Sequence, residues 1–275
     1  MTTFGHFTVS IHDHGHYRLD GGAMFGSVPR AIWSGLIPAD GDNRIRLATN
    51  SLIVETGERR FVVDVGCGDK WSDKLRGIYG VEPVVPPPGA ADVTDVILTH
   101  LHFDHAGGLS RCVPGAGREV EPCYPGARAH LQEANWDVAR APGPRERASY
   151  LPENSAVLER TPLALARGSA ELVPGLWVHR SDGHTRGLQW IEVRGGGTTV
   201  AFPSDLIPTS RHLPIPYAMG YDMHVELLLE EKAELLRRAV AGDWIVVFVH
   251  DPDIPAARIK VDERGHYAVR EAVEL

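Results

Sequence analysis

Residues 99–108 read Thr-His-Leu-His-Phe-Asp-His-Ala-Gly-Gly and directly follow the apolar segment Val96-Ile97-Leu98. A short unbroken apolar run is typical of a buried strand. Side chains alternate between the two faces of a strand, so His100 and His102 at the strand end would project from the same side. Two imidazoles on one side can hold a metal ion, and the stretch therefore predicts a metal site at this strand end.

The second half of this motif supplies further ligand types. Asp104 and His105 come where the chain turns, so they could face a second ion a few Å from the first. Gly107 and Gly108 would let the backbone bend tightly behind them. An isolated histidine is usually a hydrogen-bonded turn or core residue, but this interpretation does not explain a run of closely spaced ligand residues. We therefore predict a site for two ions.

Three later positions can complete this site, because four side chains do not fill the coordination of two ions. His184 precedes the strand predicted for residues 188–193 and could join the first ion. Asp205 follows the strand predicted for residues 198–202, where its carboxylate could bridge both ions. His250 ends a third apolar run and could join the second ion.

Strand and helix patterns are mixed along the chain and predict an α/β protein. The predicted strands are residues 51–55, 61–65, 96–99, 188–193, 198–202 and 244–249, and the predicted helices are residues 71–78, 131–139 and 224–240. The apolar face of the last helix is predicted to contain Val225, Leu228, Leu229 and Leu236. Lys232 is assigned to its charged side.

Two segments rich in Pro and Gly, residues 82–91 and 141–154, have no sustained period and predict long surface loops. Loops of this length are often lids or binding loops, and disordered connectors are the alternative.

Four N-terminal histidines raise the question of a further metal site. They are His6, His12, His14 and His16. No strand end is recognisable around them, so we predict that they face solvent.

Composition limits the classes of partner. The chain has 275 residues, 43% of them hydrophobic, and a formal net charge of -8. We expect one domain over residues 1–275 that acts on a small molecule, and not on nucleic acid or membranes, with a homodimer left open. The N-terminus lacks the pattern of a signal peptide, which predicts a cytoplasmic location. Cys67, Cys112 and Cys123 are predicted to be free thiols.

The order and spacing of the ligand residues resemble the metallo-β-lactamase superfamily over nearly the whole chain. The resemblance implies an αββα sandwich of two mixed sheets with helices outside. It assigns His100, His102 and His184 to the first ion, Asp104, His105 and His250 to the second, and Asp205 to both. It also matches Asp64 to an aspartate that orients the histidine loop. Five imidazoles and two carboxylates favour two zinc ions, with manganese, iron and cobalt as alternatives.

Within that superfamily the chain is similar to quorum-quenching lactonases, which open N-acyl homoserine lactones. The similarity lies in residues 20–26, 49–51 and 205–209. For such a site we expect a hydroxide held between the two ions that attacks the acyl carbon, with Asp104 and Asp205 as catalytic carboxylates and Asp104 relaying a proton to the leaving oxygen. Some lactonases have a tyrosine where Pro208 stands here.

A substrate pocket is predicted from nearby aromatic and apolar residues. Tyr217 or Tyr221 would replace the missing tyrosine, or the substrate differs. The predicted apolar wall consists of Met24, Phe25, Trp33 and Phe103, with core packing as the alternative for each.

Other reactions could use the same ligands. Organophosphate triesters and aryl esters would fit the same site. A thioesterase of the glyoxalase type needs a C-terminal helical region, for which too little chain follows His250. The single iron of an iron-dependent oxygenase would leave Asp104, His105 and His250 without a second ion. The acidic charge disfavours an RNA-processing nuclease, and Asp205 disfavours β-lactam hydrolysis.

Overall fold

The structure is a computed structural model that describes residues 1–82, 85–87, 89–113, 115 and 119–275. The strands are β1 (Thr2–Phe4), β2 (Phe7–Asp20), β3 (Arg44–Thr56), β4 (Arg59–Val63), β5 (Asp95–Ile97), β6 (Ser110–Cys112), β7 (Val120–Pro122), β8 (Arg128–Gln132), β9 (Leu163–Ala166), β10 (Ala170–Val173), β11 (Leu176–Ser181), β12 (Leu188–Gly195), β13 (Thr198–Phe202), β14 (Ile245–Val247), β15 (Ala256–Val261) and β16 (Tyr267–Ala272). The α-helices are α1 (Gly21–Phe25), α2 (Arg30–Trp33), α3 (Asp73–Tyr79), α4 (Phe103–Ala106), α5 (Glu133–Arg140), α6 (Pro152–Ser155) and α7 (Val225–Ala241).

The first large sheet has the strand order β1-β2-β3-β4-β5-β8-β9. Strands β1 to β4 pair antiparallel, whereas β4, β5, β8 and β9 are parallel to one another. The carboxyl ends of parallel strands meet at one edge of a sheet. The segments that follow β4 and β5 therefore begin side by side.

The second large sheet has the order β10-β11-β12-β13-β14-β15-β16. All of its neighbouring strands are antiparallel except β13 and β14, which are parallel through Val200 opposite Ile245. The chain therefore leaves β13 and β14 at the same edge. Both sheets are mixed, as predicted.

Apolar side chains from both large sheets form the central core. Val54, Phe61 and Val63 of the first sheet pack in one cluster with Ile191 and Phe202 of the second. Outside the sheets, α7 covers the second sheet and the segment from α4 to the turn after α6 covers the first. The layers are helix, sheet, sheet and helix, so the predicted αββα sandwich is confirmed.

Helix α7 agrees in its limits with the predicted helix, but two assignments to its faces are wrong. Val225 is 41% exposed, because it is the first helical residue and is not part of the apolar cluster in which Leu228 and Leu236 pack. Lys232 is buried because its ammonium donates hydrogen bonds to the carbonyls of Pro214 and Tyr217. A charged residue on the buried side can be tolerated when backbone acceptors surround it.

Other predicted segments need smaller corrections. All six predicted strands overlap observed strands, but the helix predicted at 131–139 begins only after β8 ends at Gln132. Segment 141–154 is not purely a loop, because it contains a short turn of 3-10 helix and the first residues of α6. In segment 82–91, residues 83, 84 and 88 lie outside the described part of the chain.

The prediction that the N-terminal histidines face solvent is wrong for His14, which is buried. His12 and His16 are only partly exposed. His12, His14 and His16 lie in β2, and the side chain of His14 is buried, with Nδ1 3.1 Å from the carbonyl of Val85. Strand β2 was missed because a break in register between Asp13 and His16 interrupts its alternation. His6 is exposed.

The three cysteines are free thiols in the described structure, as predicted. No described helix is both long enough and apolar enough to cross a membrane.

Candidate metal centre

The loop after β5 and helix α4 carry the 99–108 motif to the edge of the first sheet. Strand β5 ends at Ile97, so His100 and His102 lie in the loop and not in the strand itself. Asp104 and His105 lie in the first turn of α4, and all four side chains are buried.

Gly107 and Gly108, at the end of the motif, allow its backbone to pack closely against another loop. A Cβ atom on Gly107 would lie 2.1 Å from the carbonyl of Cys67, and one on Gly108 would lie 2.1 Å from the carbonyl oxygen of Val65. Neither contact is possible for a residue with a side chain. The two glycines therefore let the motif lie directly against the loop that follows β4.

The second sheet brings three further side chains to the same place. His184 lies between β11 and β12, Asp205 lies in a 3-10 turn after β13, and His250 follows β14. Ser204 has a φ of 53°, a conformation that is uncommon outside glycine, and it turns the chain just before Asp205. All three ligand candidates are buried.

The seven side chains form two groups. The first contains His100, His102, His184 and Asp205, and the second contains Asp104, His105 and His250. Within each group, one potential ligand atom per residue lies within 4.8 Å of the others. The structure thus brings together all seven residues that the sequence indicated as metal ligands, in the two ligand sets that the resemblance implied.

Asp205 faces both groups with different oxygens. Its Oδ2 lies 3.2 Å from Nε2 of His184 and 3.9 Å from Nε2 of His100. Its Oδ1 lies 3.0 Å from Nε2 of His250 and 3.4 Å from Nε2 of His105. A carboxylate in this position can bridge two cations.

Several polar atoms in the cluster are buried without a hydrogen-bond partner. They are Nε2 of His100, Nε2 of His102 and Oδ1 of Asp205, which lies close to the ring nitrogens of His250 and His105 without forming a hydrogen bond to either. Buried polar atoms are rarely left unsatisfied in proteins. In addition, Nε2 of His105 lies 3.2 Å from Nε2 of His250, an arrangement in which both nitrogens can face one cation. The donor set therefore fits divalent metal ions.

The electrostatics differ between the histidines of the cluster. Burial opposes the charge of His105 and of His184, but Asp205 and the neighbouring carboxylates raise the pKa of both rings. Burial and the neighbouring imidazoles hold the pKa of His100 and of His102 well below the ordinary value, so both rings are neutral. Neutral imidazole is the form that binds metals. Burial opposes the charge of Asp205, but His105, His250 and His184 hold the pKa of this carboxyl well below its ordinary value.

Asp64 orients the histidine motif from the loop after β4. Its Oδ2 lies 2.8 Å from Nδ1 of His105, and its two oxygens also accept hydrogen bonds from the backbone and hydroxyl groups of Thr99. A hydrogen bond to Nδ1 leaves Nε2 of His105 to face the cluster. This position is the one that the sequence resemblance assigned to it.

Two orienting side chains were missed in the sequence. Oδ1 of Asp222 lies 2.8 Å from Nδ1 of His184, and the hydroxyl of Tyr17 donates to Oδ2 of Asp104 at 2.5 Å. Burial and the charge of Asp104 raise the pKa of Tyr17 well above its ordinary value, so it remains a donor. Neither residue belongs to a recognisable motif, and only the alternation of β2 could have placed Tyr17.

A cavity of about 130 Å³ opens above the cluster. Met24, Phe103 and Tyr221 line it, as predicted for the pocket, together with Tyr17, Leu19, Tyr79, Arg145, Ala148, Ser149 and Met219. The other predicted pocket residues are not among its lining residues. Phe25 stacks on Trp33 and contacts Tyr217 edge to face, so these three belong to the packing beside the cavity.

The protein is an αββα sandwich, with two facing mixed sheets and helices outside them. At one edge of the sheets it has a buried cluster of histidines and carboxylates that fits metal ions. The family model described as Metallo-beta-lactamase superfamily matches residues 44–250. The chain therefore belongs to the metallo-β-lactamase superfamily.

Similar proteins agree with this assignment. A solved structure described as a probable metal-dependent hydrolase from Staphylococcus aureus is 27% identical, with a TM-score of 0.89 over 99% of this chain and 100% of that one. An N-acyl homoserine lactonase from Bacillus sp. is 26% identical over 58% of this chain and 56% of its own length. AidC, described as a dizinc quorum-quenching lactonase, shares the fold with a TM-score of 0.78 over 100% of this chain and 97% of its own, at 18% identity.

The match to curated relatives is partial. The chain spans about half the length of the lactonase from Bacillus sp. It spans smaller shares of two proteins named atrochrysone carboxyl ACP thioesterase, from Aspergillus novofumigatus and Aspergillus terreus.

Proposed function

We propose that the protein is a metal-dependent hydrolase that cleaves an ester or lactone bond in a small molecule, with two zinc ions as cofactors. The observation that carries the proposal is the position of Asp205, whose two oxygens face two separate sets of histidines. Among esters, we propose N-acyl homoserine lactones as the substrate class, because relatives with that activity resemble this chain.

His100, His102 and His184 would hold the first ion, and Asp104, His105 and His250 the second, with Asp205 shared. Divalent ions held by these residues would lower the pKa of a water molecule toward neutrality and would polarise the carbonyl of the substrate. Asp64 and Asp222 keep the rings of His105 and His184 in the orientation that this binding needs.

Asp104 and Tyr17 provide a place for a proton. The hydroxyl of Tyr17 donates to one oxygen of Asp104, so the other oxygen is available to an ion. We propose that the Asp104 carboxylate accepts the proton that the attacking water loses and passes it to the leaving oxygen, and that Tyr17 fixes the orientation of this carboxylate during the transfer.

The cavity supports binding of an acyl chain next to the cluster. Met24, Phe103 and Met219 provide an apolar wall, which excludes water from the reacting bond. Of the two tyrosines proposed to replace the one absent at Pro208, Tyr221 lines the cavity. Burial and the charge of Asp20 raise its pKa to about 12, so its hydroxyl stays protonated and can donate to the substrate carbonyl.

The test is elemental analysis of the purified protein combined with rates on lactones, aryl esters, thioesters and organophosphate triesters. We expect two zinc equivalents and the highest kcat/KM on lactones. Fastest turnover of a triester or an aryl ester would replace the proposed substrate, and one iron with oxygen uptake would replace the reaction class.

A variant of Asp205 tests the site directly. Asp205→Ala should lower kcat about a hundredfold or more, because it removes the carboxylate that would be shared by the two ions. Glu226→Ala, which removes an exposed carboxylate at the start of α7, is the matched control and should keep the wild-type rate. Wild-type rates and metal content in the Asp205 variant would exclude this residue from the site.

The proposal includes three further predictions. The protein forms a single domain over residues 1–275, it is located in the cytoplasm, and it binds neither nucleic acid nor membranes. Whether the protein forms a homodimer is a separate question, which a measurement of its molecular mass in solution answers.

A further inference from the structure

The cavity above the cluster contains one charged side chain that the proposed chemistry does not use. Among the described residues that line it, those outside the seven ligand candidates are apolar or neutral except Arg145. This is notable in a chain whose formal net charge is -8. A cation at the mouth of a reaction pocket attracts an anionic group of the substrate.

Arg145 has most of its hydrogen-bonding capacity unused. One nitrogen of its guanidinium, Nη2, donates to the carbonyl of Gly220 at 2.6 Å. No described carboxylate lies within ion-pair distance of it, and its neighbour Glu146 instead accepts a hydrogen bond from Thr185. A guanidinium has five N–H donors, and its planar fork suits the two oxygens of a carboxylate.

Arg145 is exposed, and its one hydrogen bond within the described chain, to Gly220, positions the guanidinium among the residues that line the cavity. Gly220 is itself fixed, because its N–H donates to the carbonyl of Ala23 at 2.7 Å. Its neighbours Met219 and Tyr221 line the same cavity. An arginine anchored by one donor, with the others free, is positioned to bind an anion without a large further loss of side-chain freedom.

We propose that Arg145 selects substrates that carry a carboxylate at the end remote from the bond that is cleaved. The substrate class is then an ester or lactone whose acyl chain ends in a carboxylate. The inference rests on the proposed function and narrows it, since the lactone or ester group would lie at the metal cluster and the carboxylate at Arg145.

The experiment compares two substrates that differ only in charge. One is a homoserine lactone whose acyl chain ends in a carboxylate, and the other is the same molecule with a terminal carboxamide. A corresponding pair of phenyl esters is measured in parallel. The quantity of interest is the ratio of kcat/KM for the carboxylate to that for the amide, because a general loosening of the loop affects both substrates and cancels in the ratio.

We expect the wild-type ratio to exceed one and to fall about tenfold in Arg145→Gln. Arg145→Lys keeps the charge and should retain part of the preference. Arg147→Gln removes an exposed arginine two positions away that does not line the cavity, and it should leave the ratio unchanged. Added salt should lower the wild-type ratio, because it screens a contact near solvent.

Two outcomes overturn the inference in distinguishable ways. If all four substrates are hydrolysed but the ratio is the same in wild type and Arg145→Gln, Arg145 only fastens its loop to Gly220, and the proposed function stands. If neither the lactones nor the esters are hydrolysed by the metal-loaded protein, the proposed function fails and this inference fails with it.

Discussion

Two buried pairs of aspartate and histidine lie at opposite edges of the first sheet, that is, where its parallel strands end and where they begin. At the edge where β4 ends, Asp64 lies 2.8 Å from Nδ1 of His105. At the edge where β5 begins, Asp95 lies 2.7 Å from Nε2 of His130. The pairs are alike in chemistry, distance and burial, but only the first belongs to the candidate metal centre.

The difference lies in what surrounds each pair. The carboxylate of Asp95 is saturated, because Arg59 donates two hydrogen bonds to it and the hydroxyl of Thr94 donates a third. The ring of His105, by contrast, keeps Nε2 free of a hydroxyl or amide partner and directs it toward Nε2 of His250 at 3.2 Å. A buried aspartate and histidine pair thus indicates a metal site only where the second ring nitrogen meets further ligands.

The same substitution at each pair should separate these roles, and the largest effect is expected at Asp64. Asp64→Asn leaves one acceptor oxygen where His105 and Thr99 both require one. His105 would lose its fixed orientation, and the affinity for zinc should fall about 10- to 100-fold. Competition with a chromogenic chelator measures this change.

Asp95→Asn is the matched control for that measurement, since it changes an equivalent pair in the same sheet. Zinc affinity and kcat should equal those of the wild type. A loss of zinc affinity as large as that of Asp64→Asn would show that both substitutions act by general destabilisation, and the contrast between the two edges would be wrong.

Asp95→Asn should instead lower stability. Burial opposes the charge of Asp95, but hydrogen bonds from His130, Arg59 and Thr94 hold the pKa of its carboxyl below its ordinary value. Loss of these charged hydrogen bonds should lower the free energy of unfolding by about 2 kcal/mol at pH 7. Urea denaturation followed by circular dichroism measures the change.

The pH dependence of that difference has a definite sign. A carboxyl whose pKa is lowered by folding stabilises the protein fully above its ordinary pKa, about 3.9, and loses this contribution as the pH falls toward the lower folded value. The stability difference between wild type and Asp95→Asn should therefore be constant from pH 7 to about 5 and shrink below pH 4. A difference that grows on acidification would contradict the role assigned to Asp95.

The sequence predicted the fold and the ligand candidates well because the signals are local or ordered along the chain. His100 to His105 form a compact motif after an apolar strand, and His184, Asp205 and His250 each lie at the end of or between recognisable strands. A strand end fixes where a side chain lies without knowledge of distant contacts. The αββα layers followed from the resemblance and not from the strand pattern itself.

What the sequence could not predict depends on contacts between distant segments. Asp222 meets His184 only because the long connection before α7 returns to the cluster. Lys232 is buried because the carbonyls of Pro214 and Tyr217 surround it, and no helical periodicity encodes such acceptors. His14 was misjudged for a similar reason, since the carbonyl of Val85 approaches it from another part of the chain.

The smallest of these effects is expected when a hydroxyl donor is removed from a buried carboxylate at each edge. Tyr17 donates to Asp104 in the candidate centre, and Thr94 donates to Asp95 at the opposite edge. Tyr17→Phe should lower kcat about tenfold with little change in KM, because Asp104, which we propose transfers the proton, loses the hydrogen bond that orients it.

Thr94→Val removes the matching hydroxyl at the other edge and should lower only stability, measured by the midpoint of urea unfolding. Comparing kcat with unfolding in both variants distinguishes orientation of a reacting group from ordinary packing, because a purely structural tyrosine would change the midpoint and leave kcat unchanged. Wild-type kcat in metal-loaded Tyr17→Phe would remove Tyr17 from the chemistry. It would leave Asp104 as a metal ligand whose orientation does not depend on that hydrogen bond.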